Sequence, residues 1–468
     1  MNQNLPKLLT DDQMQTFIKD GVLRLKTDFS NEFHARLLEQ LNEVFENEGN
    51  PGNNVLPRIR ELRKVFEHPV ITGALTSVLG PNYLMHTHRH CHYNALPKAG
   101  AWHKDSYWGF ERMNNHHPWW AMIMYFPQDT PIELGPTGVM PGSHNYKTRT
   151  FVQDDTEEEL TANGEAGTFV LIHFDIWHRS TSNLTSQPRY MLKFEFMRTE
   201  APSEPSWDYK DSKWRMPATS VANSVQSSAM WEDTWNWLRG EIGSLYGTET
   251  VNEEKIVQLA SQLAEDDEPV ALHAAYELVR YGDAGKNVLL EALRSDNKWT
   301  SMCAAYGLTA CGQHAAEGLG LVLNDSRKRQ VKHAVFALGE LQHHAARLVP
   351  QIISLLDGGD VKVRRTIADA LGMIGEPAKE IVEGLIACLK DEDEQVRFTA
   401  ALSLLRLREA AAPAIPYLEE ALEDDNRYVR GHAVEALRYI NTEEAREVLI
   451  NELIQSRWCS ITTKTSTF

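Results

Sequence analysis

Hydrophobic and polar residues follow two different patterns along the chain, and the change comes near residue 200. Before it, an amphipathic helix, with Phe33, Leu37 and Leu41 on one face, precedes a series of short strand-like runs. The runs AMIMYF, GTFVLIHF and RYMLKFEFMR are separated by glycine and proline, which indicates an antiparallel barrel or sandwich. The first part of the chain is therefore predicted to be α+β.

From about residue 265 onward the pattern is purely helical, and it repeats. Six segments align on one another, with equivalent leucines 30, 30, 33, 33 and 33 residues apart. A period of this size is typical of helix pairs stacked as a solenoid, and the segments resemble the short HEAT-like repeats. The equivalent leucines are Leu278, Leu308, Leu338, Leu371, Leu404 and Leu437.

These patterns predict a multidomain chain with four segments. An irregular helical bundle is the alternative for the C-terminal part, but six copies in register argue against it. Residues 200–225 contain several prolines and serines and little periodicity, which indicates a connector. The predicted segments are an α+β domain over 1–200, a connector with a helix over 201–264, the HEAT-like all-α solenoid over 265–457 and a tail over 458–468.

Composition narrows the classes of partner. The chain has 468 residues and a formal net charge of −18, which gives no general attraction to nucleic acid or to an anionic membrane. No apolar run reaches the roughly 18 residues that span a bilayer, and the N-terminus lacks the features of a signal peptide. Five scattered cysteines suit free thiols in a reducing compartment. We therefore expect a cytoplasmic protein that binds neither nucleic acid nor membrane.

Candidate metal ligands occur in two strand-like runs. In AWHKDSYWG (101–109), His103 and Asp105 are two residues apart, and such residues point to the same side of a strand. His178 ends another apolar run, and Arg189 begins the next. Two histidines and one carboxylate form the facial triad of non-haem Fe(II) oxygenases, and an arginine suits a bound carboxylate. The sequence therefore predicts a metal site formed by His103, Asp105 and His178.

With GPTGVMPGSH (135–144) and QPRY (187–190), these motifs occur in the order found in the phytanoyl-CoA dioxygenase family. Residues 10–198 resemble this family of Fe(II)/2-oxoglutarate oxygenases. The resemblance implies a double-stranded β-helix core of the jelly-roll or cupin-like type. It also implies Fe(II) at the predicted triad and 2-oxoglutarate as co-substrate, with its distal carboxylate at Arg189. The residues that it places at the co-substrate are Arg189, Thr137, Asn94 and Met85.

The resemblance further implies a dioxygenase that hydroxylates or otherwise oxidises a small molecule. Such an enzyme consumes O2, proceeds through an Fe(IV)-oxo species and releases succinate and CO2, and ascorbate is expected to assist it. Related halogenases have a small residue in place of the carboxylate ligand, so Asp105 favours oxidation over halogenation. The residues expected to contact the substrate are Trp102, Tyr107, Trp108, His116 and Trp120.

The run MHTHRHCHYN places four histidines at alternate positions, and therefore on one side of a predicted strand. These are His86, His88, His90 and His92. Residues in line along one strand are about 6–7 Å apart, which is too far to share an ion without other ligands, so we do not predict a second metal site. If the strand borders the active site, one or two of these histidines bind substrate instead.

Other functions remain open at this point. The chain could be a scaffold that binds a partner through its repeats and carries an inactive oxygenase-like domain. It could be a zinc hydrolase with the same ligands, or an oxygenase whose protein substrate is held by the repeats. The complete triad and Arg189 favour an active oxygenase with a small-molecule substrate. The repeats could then bind a protein partner or a second copy of the chain.

Overall fold

The protein is described by a computed structural model covering residues 5–105, 112–152, 158–221 and 227–456. These residues divide into two compact units. The first unit contains the described residues up to 221, except 112 and 113, which cluster with the second unit. The predicted connector over 201–264 is therefore divided between the two units.

Two antiparallel sheets form the framework of the first unit. The larger sheet has the strand order β1-β6-β3-β8-β2, and the smaller sheet has the order β5-β4-β7. The result confirms the predicted β-rich N-terminal domain, in which two facing sheets enclose an interior as in a jelly roll. The strands are β1 (Val22–Lys26), β2 (Leu84–Asn94), β3 (Trp120–Tyr125), β4 (Thr137–Val139), β5 (Leu160–Thr161), β6 (Thr168–His173), β7 (His178–Ser180) and β8 (Arg189–Met197).

Helices precede the second strand and cover one face of the larger sheet. Phe66 stacks on Phe194 of β8 with ring centroids 3.9 Å apart, which closes this side of the core. The opposite, inner face of the sheet does not pack on these helices. The helices are α1 (Asp11–Asp20), α2 (Asn31–Glu48), α3 (Val55–Arg58), α4 (Leu62–Phe66) and α5 (Pro69–Leu79).

The segment after β8 packs against α1 although its sequence shows no periodicity. The indole Nε1 of Trp207 donates to a carboxylate oxygen of Asp11 at 2.7 Å. Further along, the backbone N–H of Val221 donates to Asp20 at 2.8 Å. Bonds between side chains and backbone therefore order residues 201–221 as part of the first unit.

The second unit is helical throughout its described part, as predicted. All six equivalent leucines are fully buried, and they lie in alternate helices from α8 to α18. None of the described helices combines the length and apolar character needed to cross a membrane. The helices are α6 (Ser228–Leu238), α7 (Glu253–Leu263), α8 (Glu268–Val279), α9 (Gly282–Leu293), α10 (Lys298–Ala310), α11 (Ala316–Val322), α12 (Lys328–Glu340), α13 (Val349–Ser354), α14 (Val361–Ile374), α15 (Ala378–Leu389), α16 (Glu394–Arg406), α17 (Ile415–Ala421), α18 (Arg427–Ile440) and α19 (Glu443–Gln455).

Arginine–aspartate pairs connect successive repeats. Arg364 at the start of α14 pairs with Asp391 before the next repeat at 2.7 Å, and Arg397 on α16 pairs with Asp424 at 2.7 Å. Each pair has two parallel N–H···O bonds, the geometry that gives arginine–carboxylate contacts their specificity. The repeated spacing of these pairs maintains the register between neighbouring helix pairs.

Because His333 on α12 is buried, we expect acid to destabilise the solenoid. Burial lowers the pKa of His333 from 6.5 to about 3, and its Nδ1 lies 2.9 Å from the Ser301 hydroxyl. Below pH 6.5 the unfolded chain binds a proton here that the folded chain does not, so the free energy of unfolding falls as the pH falls. At pH 5 the loss from this residue is about 2 kcal/mol. Urea unfolding at pH 7 and pH 5 measures it.

The matched variant for this measurement is His333→Asn, whose amide can bond to Ser301 without titrating. Its unfolding free energy should depend less on pH than that of the wild type, by about 2 kcal/mol between the two pH values. Equal pH dependence in the two proteins would contradict the prediction.

Candidate metal centre

Strand β8 has two faces of opposite character. Phe194 and Phe196 point towards Phe66 of α4, so the alternate residues point to the other, inner face of the sheet. The whole strand is buried. Charged side chains on a buried face are costly unless they meet partners or ligands, which makes the inner face the candidate binding surface. Its β8 residues are Arg189, Met191, Lys193 and Glu195.

The three predicted metal ligands come together at this face. Residues 101–105 are not in a regular strand, contrary to the expectation; His103 forms an isolated antiparallel bridge with His178 of β7. Lys104 still points away from its neighbours, because its Nζ donates to the backbone oxygen of Tyr146 at 2.6 Å. One ligand atom each of His103, Asp105 and His178 lies within 4.8 Å of the other two. The bridge to β7, rather than a shared strand, assembles the cluster.

Both histidines of the cluster are oriented by backbone carbonyls. Nδ1 of His103 lies 3.0 Å from the oxygen of Ala101, and Nδ1 of His178 lies 3.1 Å from that of Ile176. An Nδ1–H that donates to a carbonyl leaves the Nε2 lone pair for a metal. Burial lowers the pKa of His178 to about 4, so its imidazole is neutral at pH 7, as a metal ligand must be.

Asp105 supplies the negative charge of the cluster. Burial raises the pKa of this carboxyl, but the nearby charges of Lys193 and of His178 outweigh burial and hold the pKa below its usual range. Its Oδ2 lies 2.6 Å from Nζ of Lys193 and 3.6 Å from Nε2 of His178. Two imidazole nitrogens and one carboxylate oxygen on one side fit the Fe(II) facial triad.

Arg189 provides a buried cation at the end of the same face. Its side chain is 1% exposed, and its Nε donates to the backbone oxygen of Gly135 at 3.0 Å. Nη1 is buried and has no hydrogen-bond partner among the residues that the structure describes. Burial lowers the pKa of Arg189 to about 10, which leaves it charged at pH 7. A buried guanidinium with an unused donor fits a carboxylate ligand.

Gly135 allows this close approach. Its backbone is left-handed, with φ +73°, and an added Cβ would lie 2.8 Å from Asn183 N and from Thr181 O. Only glycine accommodates both the conformation and the contact. Gly135 of the GPT element therefore shapes the site of Arg189.

Two of the other predicted co-substrate residues lie near this region. Asn94 is directly opposite Arg189 in the β2–β8 ladder, and its Nδ2 donates to the oxygen of Thr181 at 3.1 Å. Thr137 is opposite Ser180 in the small sheet, two residues from the pair of Val139 with His178. Thr137 therefore faces the same side as the metal ligand His178.

Met85 is not brought to Arg189. It lies opposite Phe196, at the other end of the β2–β8 ladder, and therefore on the face that packs on the helices. The register of the ladder shifts between Met85 and Arg89. The shift amounts to two residues, so alternate residues keep the same faces on both sides of it, and Met85 lies on the same face as Arg89.

The predicted substrate residues are distributed over several environments. Trp120 of β3 lies on the inner side of the sheet, 5.2 Å from the ring of His86. His116 is buried, with Nε2 3.0 Å from the oxygen of Asn145. Trp102 packs under the guanidinium of Arg179, 4.5 Å from its ring centroid, away from the inner face of β8. Tyr107 and Trp108 lie outside the described residues.

Sequence reasoning missed the charged residues Lys193 and Glu195. Glu195 is fully buried, 3.2 Å from Nδ1 of His86 and 3.7 Å from Nε2 of His88. The irregular register of β2 lets both histidines reach this one carboxylate, as β-bulges often do beside functional sites. The available signal was the alternation in RYMLKFEFM, where charged residues recur at even spacing in an apolar strand.

Two family models match the chain. Residues 7–191 match phytanoyl-CoA dioxygenase (PhyH), and residues 349–438 and 382–457 match HEAT repeats. These matches confirm the two resemblances inferred from the motifs and from the repeat period. No curated protein matches the chain significantly.

The solved structures similar to the chain include a carbocyclase described as non-heme and EctD, which was solved with 2-oxoglutarate. The carbocyclase SnoK from nogalamycin biosynthesis, described as alpha ketoglutarate dependent, is 16% identical, covering 44% of this chain and 96% of its own, with a TM-score of 0.35. EctD from S. alaskensis, solved with 2-oxoglutarate and 5-hydroxyectoine, is 16% identical, covering 47% and 89%, with a TM-score of 0.35. At these values neither structure identifies a substrate for this chain.

Proposed function

We propose that this chain, whose residues 7–191 form an Fe(II)/2-oxoglutarate-dependent oxidoreductase domain of the phytanoyl-CoA dioxygenase type, oxidises a small-molecule substrate. The observation that carries the proposal is the pairing of a cluster of three metal-ligand side chains with a buried cation. His103, Asp105 and His178 offer ligand atoms within 4.8 Å of one another, and Arg189 offers an unused buried donor. A metal and a dicarboxylate together satisfy both.

His103, Asp105 and His178 would hold the Fe(II) ion. The carbonyls of Ala101 and Ile176 fix the two imidazoles, so little reorganisation is needed to bind the metal. When bound, Fe(II) and 2-oxoglutarate would supply the electrons that activate O2, which is the oxidant of a C–H bond of the substrate. With only three protein ligands, the metal would keep coordination positions for the co-substrate and oxygen.

Arg189 would bind the distal carboxylate of 2-oxoglutarate. Its Nε is already held by Gly135, so the guanidinium is oriented before the ligand arrives. Asn94 lies opposite it in the ladder and Thr137 faces the same interior from the small sheet. We infer that these two side chains complete the polar lining around the co-substrate.

A small molecule suits this site because two of its three ligand side chains are largely enclosed. The side chain of His178 is 5% exposed and that of Asp105 is 17% exposed, whereas His103 is exposed. Trp120, on the same inner side, offers a flat surface against which an unsaturated ring could pack.

The test is iron-dependent succinate formation by the purified full chain with Fe(II), ascorbate, O2 and 2-oxoglutarate. We expect succinate in the wild type and none after metal chelation. In His103→Ala we expect the rate of succinate formation to fall by about 100-fold or more. Loss of a ligand should cost at least this much, since losing only the partners of metal ligands costs about 10- to 100-fold. The measurement is succinate by mass spectrometry with isotopically labelled 2-oxoglutarate.

The matched control is His68→Asn. His68 caps α5 by accepting a bond from the Val70 N–H, and asparagine is an equally good cap. This variant should form succinate like the wild type. Absence of succinate in the wild type, together with no binding of Fe(II) or 2-oxoglutarate by calorimetry, would overturn the proposed function and favour a binding role for the repeats.

A further inference from the structure

Lys193 lies on the inner face of β8, directly beside the candidate metal ligands. Its side chain is 4% exposed, and its Nζ lies 2.6 Å from Oδ2 of Asp105. Within the described ranges, Asp105 is the only carboxylate paired with it. His92 on β2 is close by: burial, and then the charge of Lys193, lower the pKa of His92 to about 2. His90, which is opposite Lys193 in the β2–β8 ladder, and Glu195, two residues along the strand, lie on the same inner face.

A divalent metal at the triad changes this charge balance. Without it, the charges of Asp105 and Lys193 cancel, which makes the burial of both tolerable. With it, Asp105 faces the two charges of the metal and the charge of the lysine, while the other carboxylate of this face, Glu195, contacts His86 and His88. A buried excess of positive charge is unfavourable unless anions are bound near it. The metal-loaded site therefore requires negative charge beside Lys193.

Arg189 is too far along the strand to share its ligand group with Lys193. The two residues are four positions apart on the same face, a separation of about 13 Å between their backbones. The Arg189 guanidinium donates to the backbone oxygen of Gly135, whereas the Lys193 ammonium pairs with Asp105 at the candidate metal centre. The inner face of β8 thus presents two cations for two separate anionic groups.

We propose that Lys193 is a second carboxylate-binding residue, which holds a carboxylate at the metal end of the pocket. That carboxylate belongs either to the keto-acid end of 2-oxoglutarate or to an acidic group of the substrate. The inference rests on the proposed function, because without a bound metal Asp105 alone satisfies the lysine. Lys193 would thus bind a carboxylate that neither the metal triad nor Arg189 binds.

The test uses Lys193→Met in the full chain, loaded with Fe(II) without oxygen. Methionine has similar length and no charge. Calorimetry measures the affinity for Fe(II), then for 2-oxoglutarate and for 2-oxobutyrate, which lacks the distal carboxylate. If Lys193 holds the keto-acid end, both 2-oxo acids bind about tenfold more weakly or worse, which is about 1.4 kcal/mol. The affinity for Fe(II) stays equal or rises, because a competing cation is gone.

The substrate alternative has its own probe. Protein saturated with Fe(II) and 2-oxoglutarate is titrated with acetate, and the absorbance of the iron–2-oxoglutarate complex reports binding. If Lys193 holds an acidic group of the substrate, acetate perturbs the wild-type spectrum and not that of Lys193→Met, while both 2-oxo acids bind the two proteins equally. Arg189→Met is the control: it weakens 2-oxoglutarate but leaves 2-oxobutyrate unchanged.

Two results would overturn the inference. One is unchanged binding of both 2-oxo acids together with no lysine-dependent effect of acetate. The other is a parallel loss of Fe(II) affinity, which would mean that Lys193 only orients Asp105. Failure of the wild type to bind Fe(II) and 2-oxoglutarate would instead contradict the proposed function. If Lys193→Met does not fold, Lys193→Gln replaces it, since the amide can still donate to Asp105 without carrying a charge.

Discussion

Replacing Arg189 with methionine is expected to weaken the binding of 2-oxoglutarate by about 100-fold or more. A guanidinium donates two parallel charge-assisted hydrogen bonds to a carboxylate, each contributing about 1.5–3 kcal/mol. Methionine fills similar space and supplies none. Calorimetry on metal-loaded protein without oxygen measures the change. Arg189→Lys is the matched variant: it retains the charge without the planar fork, and its loss should be smaller.

The same substitution should not destabilise the ligand-free protein. Arg189 is 1% exposed and carries a buried Nη1 with no bond in the described part of the chain. Burying this charge in the ligand-free protein therefore lowers the free energy of unfolding, and methionine removes the unfavourable burial. We expect the melting temperature of ligand-free Arg189→Met to equal or exceed that of the wild type. A marked decrease, with unaltered 2-oxoglutarate affinity, would mean that Arg189 supports the fold and does not bind the ligand.

Local patterns were sufficient to predict the helical repeats. The stacking of helix pairs depends on a small set of buried positions, and each repeat places its leucine in the same environment. Leu278 and Leu437 are both fully buried although they lie at opposite ends of the series. Because each repeat contacts mainly its neighbours, a period in the sequence carries most of the structural information.

The closeness of the three candidate metal ligands could also be predicted, although not from a regular strand over residues 101–105. His103 and Asp105 point to the same side although residues 101–105 form no strand. The isolated bridge between His103 and His178 holds the segment in an extended form. An extended backbone alternates its side chains whether or not it belongs to a sheet. The His-x-Asp spacing was therefore informative even though the element assigned to it was not formed.

The charged inner face could not be predicted because it depends on the register of distant strands. Residues 90 and 193 are paired only after the chain has folded. The register shift between Met85 and Arg89 amounts to two residues, so even-numbered residues of β2 face inward on both sides of it, and His86 and His88 both approach Glu195. No local propensity specifies such an irregularity.

Replacing Asp105 with asparagine is expected to have the largest effect of a single substitution, because it removes a metal ligand and a buried counter-ion together. Asparagine preserves the shape of the side chain but not its charge, which leaves the ammonium of Lys193 buried beside a neutral amide. Breaking a buried pair in this way costs about 3–5 kcal/mol. Chemical unfolding of the metal-free protein should show this loss in the transition of the first unit.

The double variant Asp105→Asn with Lys193→Met separates the two consequences. Removing the lysine as well eliminates the uncompensated charge, so most of the lost unfolding free energy should return. Binding of Fe(II) should not return, because the negatively charged ligand is still missing. If Asp105→Asn alone were as stable as the wild type, the ion pair with Lys193 would contribute nothing to stability. The proposal that Lys193 attracts a carboxylate to the metal-loaded site would then have to be rejected. If the double variant regained Fe(II) binding, Asp105 would not be a metal ligand, since a site of two imidazoles would then be sufficient.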